Sequence, residues 1–332
     1  MGKLTSFADD AYPSTLTTAA LAAPDFSLPA ARFMAWTAQL AYETEEPEIL
    51  DNLTRRWHWT GLHRITCDVD MGAVRRHARG YVAQVGKCCI MAFCGTEPDK
   101  ISDFAIDFDV LRRGNDVSHG MNQALDRVWG DVVNRIGATT GDIFISGHSL
   151  GGAFAVLAAQ RLAGMEGTIG QRLRGVYTYG MPRVGNTTFA TTYNGMLDGR
   201  LGQCTYRLTH GTDLVAKVPM AGNGVLDFRH VGRHLASVPS DQFVGQPGSA
   251  EIEGTDGNLD ATRQFLADAF TTWGDQLGTL VNLLSGKRPP RPFPARHDAV
   301  VSGIELLPQF FRDHLMDRYL RPLGVTFPGD KD

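Results

Sequence analysis

No stretch of this 332-residue chain holds eighteen consecutive apolar residues, so no transmembrane helix is expected. Charge of either sign is not in excess. The formal net charge is −4, with acids and bases spread along the chain, which argues against a nucleic-acid surface. Cysteine is scarce: Cys67, Cys88, Cys89, Cys94 and Cys204 form an odd set without zinc-ligand spacing. Read as reduced thiols, they point to a cytoplasmic setting. The first thirty residues carry one early lysine, then Asp9 and Asp10, and lack a continuous apolar segment. No secretory signal is expected there. No internal repeat is visible. What the chain has instead is a composition 43% hydrophobic, enough for a substantial core, and 37 glycines.

Glycine matters most in "GDIFISGHSLGGAFAVLAAQ", residues 141–160. Ile143, Phe144 and Ile145 run apolar without alternation, as in a parallel strand buried on both faces. Residues 153–162 are good helix formers. Gly-His-Ser-Leu-Gly therefore sits at a strand-to-helix turn, the setting that makes a G-x-S-x-G sequence a nucleophile elbow. Bulky neighbours would collide around Ser149, and the following helix N-terminus offers free N–H groups to a developing anion.

Elsewhere, helices are expected over 30–43, 46–57 and 121–138. Strands are expected in 80–98 (two, broken near Gly86), 173–186, 203–219 and 225–232. Their alternation predicts a mostly parallel sheet with helices on its faces. Residues 235–296 differ. A polar, glycine-rich stretch leads into 262–285, where Phe265, Phe270, Trp273, Leu277 and Leu284 recur at helical spacing. "KRPPRPFPAR" then closes the segment as a basic, Pro-rich connector.

A serine nucleophile needs a base, a group that orients the base, and oxyanion donors. Asp213, in "RLTHGTDLVAKVP", lies just past a strand and suits the acid. His230 and His234 are four apart in "HVGRH", but Gly232 and the strand end argue against a metal pair. His148 and His210 are poorly placed for the base. Spacing leaves it open between His314 and His297.

Five blocks then resemble the class 3, fungal-lipase-like family in its order: "AWTAQLAYE", "CCIMAFCGTEPDKISDFAIDFD", "ISGHSLGGAFAVLAA", "YTYGMPRVGN" and "YRLTHGTDLVAKVP". The likeness covers most of 30–232 and resumes near 297–320. It implies an α/β-hydrolase fold in one domain, 1–332, with a helical insert at 235–296 between acid and base. It implies Ser149 as nucleophile, Asp213 as orienting acid and His314 as base, since "DHLMDRY" resembles the family's C-terminal segment. Thr96 and the N–H of Leu150 would bind the oxyanion, and Asp107 would order the loop behind Thr96. Two positions depart from the family: Cys94 stands where it has arginine, and Phe104 where it has tryptophan.

The expected function is hydrolysis of acyl-lipid esters, needing no metal or organic cofactor. A phospholipase A1 or acyltransferase would use the same triad. A small-ester esterase and a catalytically inactive binding module are further alternatives. The 262–285 helix is expected either as a lid, with lipid-interface contact through 262–296, or as a core helix.

Overall fold

The computed structural model describes residues 7–70, 75–95, 119–218, 228–237, 242–250 and 309–327. Thr96, Asp107, Phe104, His297 and the 262–285 helix lie outside the described residues.

Helix α1 spans Leu28–Leu40. The Ser27 side chain caps it by accepting from the Ala30 N–H, and Pro29 lies in its first turn. Alanines alternate with Phe33, Met34, Trp36 and Leu40, and ten of its thirteen residues are buried. A helix apolar on nearly every face is one enclosed by the core. Helix α2, Pro47–Arg56, buries only Leu50, Leu53 and Thr54 and rides on the surface.

The main sheet has seven strands in the order β1-β2-β3-β4-β5-β7-β9. Strands β1 (Thr60–Asp70), β2 (Arg75–Val85) and β3 (Cys88–Phe93) pair antiparallel. From β3 onward, β4 (Asp142–His148), β5 (Leu173–Tyr179), β7 (Thr205–Thr209) and β9 (Arg233–Ala236) are parallel. Strand β6 (Gly185–Asn186) pairs separately with β8 (Phe228–Arg229). Of the strand expected over 225–232, the described residues form only Phe228–Arg229 as strand. Gly232 turns the chain with φ +75°, so β8 and β9 join different sheets. Strand β1 is an addition that the sequence pattern did not suggest.

Helices cover both faces. On β4, Ser146 Oγ lies 2.7 Å from Thr37 Oγ1 of α1. The next residue, Gly147, faces the helix that follows the elbow, because successive strand residues point to opposite sides. That helix, α4 (Leu150–Ala163), and α3 (His119–Gly137) pack on that second side. Helix α5 (Thr187–Gly195) and the single turn α6 (Arg200–Gln203) connect β6 to β7. The chain ends in two short helices, α7 (Gln309–Arg312) and α8 (Met316–Leu320). Among the described residues, no helix is long and apolar enough to cross a membrane.

Candidate active site

The C-terminal ends of β4, β5 and β7 converge on one point, and the turn between α7 and α8 closes over it. Strand β4 delivers Ser149 into a sharp turn with φ 57° and ψ −131°. A non-glycine residue in that region stores about 1–3 kcal/mol of strain. The surroundings impose it. The Ser149 N–H donates to the Tyr179 carbonyl at 2.9 Å, and the Ser149 carbonyl accepts from the Gly152 N–H at 2.9 Å. The crowding glycines make room: a Cβ on Gly147 would sit 2.1 Å from the Gly151 carbonyl oxygen, and one on Gly151 2.2 Å from that of Phe93. The strand and helix can therefore fold back on each other only with glycine at both places. Leu150 opens α4, so its N–H has no preceding turn to bond.

Asp213 follows β7 on a tight turn and is 2% exposed. Its Oδ1 accepts from the Val215 N–H at 2.9 Å, which fixes the carboxylate. Its Oδ2 lies 2.9 Å from Nδ1 of His314, a ring that is 1% exposed. The carboxylate accepts, so Nδ1 carries the proton and Nε2 presents its lone pair. Among the described residues, none bonds that Nε2. The structure thus brings Asp213 and His314 together.

Residues that the sequence reading did not assign complete the arrangement. Tyr319 donates a second bond to Asp213 Oδ2 at 2.7 Å. Its hydroxyl also accepts from the His210 N–H at 3.3 Å. Phe243, at the start of the insert, stacks on the Tyr319 ring. Asp313 takes both the N–H and the hydroxyl of Thr212, at 2.7 and 2.9 Å, so the turn that bears His314 is pinned to the turn that bears Asp213. Gly180 lies beneath all of this with φ +58°. A Cβ there would be 2.5 Å from Asp213 Oδ2 and 2.9 Å from His314 Nδ1. The "DH…Y" spacing was the one sequence signal for Tyr319.

His230 and His234 serve separate bonds. His230 Nε2 lies 2.7 Å from the Ala216 carbonyl oxygen, and His234 Nε2 lies 2.8 Å from Thr209 Oγ1. Burial above all, then the Arg207 and Arg183 charges, holds His230 well below the usual histidine range. At the family's arginine position, Cys94 is buried. Its N–H donates to the Arg79 carbonyl at 2.9 Å. The buried Arg79 guanidinium, on the neighbouring strand, pairs with Glu45. A cation thus lies one strand away from where the family carries its own.

Residues 92–223 match the family model described as lipase (class 3). A secreted mono- and diacylglycerol lipase of Malassezia globosa is 26% identical over 163 residues, 47% of this chain and 49% of that protein. A lipase of Rhizopus niveus is 31% identical over 158 residues, 44% of this chain and 39% of that one. The chain spans less than half the length of these curated relatives. The solved structure of lipase II from Rhizopus niveus aligns with a TM-score of 0.50 at 22% identity, over 69% of this chain and 86% of that one. That likeness concerns the fold. Over residues 92–223 the chain is thus similar to class 3 lipases, and it shares the fold of a solved lipase.

Proposed function

We propose that the protein is a serine carboxylic ester hydrolase acting on acyl lipids. The observation that carries this is the buried Asp213–His314 hydrogen bond, with the His314 ring packed against that of His148, the residue before the strained Ser149. In the proposed cycle, Ser149 Oγ attacks the ester carbonyl carbon and its proton passes to His314 Nε2. Asp213 stabilises the imidazolium. The carbonyl oxygen becomes an oxyanion, received by the N–H groups of Leu150 and Thr96. The C–O bond to the alcohol breaks as Nε2 returns the proton to the leaving oxygen. Water then adds to the acyl-enzyme, gives a proton to Nε2, and expels Ser149, which recovers that proton as the fatty acid leaves. No metal or organic cofactor enters these steps.

Similarity to a lipase family and the lipid substrates named for the similar proteins support an acyl-lipid substrate. The 262–285 segment, which lies outside the described residues, is read from its sequence as a lid or a core helix. The test is a rate profile over p-nitrophenyl esters of increasing acyl length, followed by emulsified triacylglycerol. Rising kcat/KM with chain length, and activity on the emulsion, are expected. Cleavage confined to acetate and butyrate esters would make the enzyme a small-ester esterase. A jump in rate at the emulsion interface would favour the lid over the core helix.

A further inference from the structure

Two histidine rings face each other in this site, and the mechanism uses only one. His148, the last residue of β4, is 3% exposed, and its ring centroid lies 4.6 Å from that of His314. Both of its nitrogens are engaged. Nε2 is 2.6 Å from the backbone carbonyl oxygen of His314, and Nδ1 is 2.6 Å from the Tyr42 hydroxyl. A carbonyl can only accept, so Nε2 carries the proton. In the neutral ring Nδ1 is then the acceptor, and Tyr42 must donate. Burial first, and the neighbouring His314 second, push His148 well below the ordinary histidine value, in keeping with a ring that stays neutral. Tyr319 stands edge-on to it at 6.0 Å.

These contacts join parts of the chain that are distant in sequence. Tyr42 follows α1 and is fully buried. Its hydroxyl lies 2.6 Å from where a Cβ on Gly95 would be, and the Ser149 Cβ lies 2.7 Å from the same point. The hydroxyl therefore reaches the elbow and the residue before Thr96 at once. On the other side, the Asp213 bond holds one ring nitrogen of His314. A single hydrogen bond leaves a ring free to pivot about it, so a second point of attachment is needed to define the direction of Nε2.

We propose that His148 is a positioning residue for the base: its Nε2–H, with the tautomer set by Tyr42, clamps the His314 carbonyl while its ring packs at a tilt against the His314 imidazole. The clamp rests on the hydrolase reading given above. It also suits the charge that appears during turnover. When His314 becomes a cation, the adjacent ring is neutral, whereas two facing imidazolium ions would repel.

The test compares the full-length wild type with His148→Leu, His148→Gln and Tyr42→Phe on a soluble p-nitrophenyl ester, with melting curves for each. Displacement of a reacting group by about 1 Å costs about 10²-fold, so His148→Leu should lower kcat about 10–100-fold and leave KM nearly unchanged. The glutamine amide can donate to the same carbonyl and should recover most of the loss. Tyr42→Phe keeps the ring but removes the donor to Nδ1. It should lower kcat about 2–13-fold, the worth of one net hydrogen bond. Three results would overturn the clamp: a wild-type kcat in His148→Leu, a glutamine variant as slow as the leucine one, or a loss confined to KM. Should His148→Leu not fold, Tyr42→Phe decides alone: its kcat loss upholds the clamp and a wild-type kcat removes it. A wild type that cleaves no ester overturns the hydrolase reading and the clamp together. An active wild type with indifferent variants overturns the clamp only.

Discussion

The elbow and the base turn meet at one site but are built in different ways. From Asp142 to Gly152 the elbow is local: a buried strand, a strained serine and glycines that touch each other within a few residues. The base turn lies between α7 and α8, helices of four and five residues. Helices so short have little stability of their own. The turn is held by partners far away in sequence: Asp213 to His314 across 101 positions, Thr212 to Asp313 across 101, Tyr319 to Asp213 across 106, and His148 to the His314 carbonyl across 166. The geometry at Ser149 is thus encoded by neighbours, and that at His314 by convergence.

The largest effect should come from removing the convergent group itself. His314→Ala should lower kcat by about 10⁶-fold, as for a triad histidine elsewhere, while His297→Ala leaves activity close to wild type. The opposite pattern would transfer the base to His297 and dissolve the contrast between the two regions. A smaller effect should appear in stability. His148 and His230 stay neutral in the fold because burial opposes their charge. In the unfolded chain a histidine takes up its proton near pH 6.5. Below that pH the unfolded state binds protons that the native state refuses, so stability should fall as pH drops from about 7 to about 5. Melting temperatures across that range check this, and His148→Gln should flatten the slope. An unchanged slope would mean that the ring beside the elbow already titrates in the folded protein. The smallest effect belongs to Tyr319→Phe. Losing one of the two bonds to Asp213 Oδ2 should reduce kcat about tenfold, since the acceptor is charged. A loss as large as that of His314→Ala would show that the base turn collapses without the tyrosine.

The same contrast explains how far the sequence could be read. Ile143–Ile145, the glycines and the alanine-rich run declare the elbow, because each signal lies within a few residues of Ser149. Asp213 is legible because it follows a strand on a turn. His314 is not separable from His297 by spacing. The resemblance to a family favoured it, and the structure places it on Asp213. The roles of Tyr319, Gly180 and His148 depend on which strand ends stand side by side, and pattern alone does not carry that register. Gly232 shows a similar limit: its positive φ ends the segment read as a strand over 225–232, and β9 begins beyond it in the main sheet. Strand β1 escaped notice because it is an edge strand, where His63, Arg64 and Thr66 interrupt any clean alternation.

The central claim is that Ser149 is a nucleophile activated by His314. A fluorophosphonate probe, followed by peptide mapping, tests it most directly. The account predicts a single covalent adduct on Ser149 in the wild type, labelling slowed by orders of magnitude in His314→Ala, and none in Ser149→Ala. An adduct on another residue, or ester hydrolysis that survives in Ser149→Ala, would contradict it.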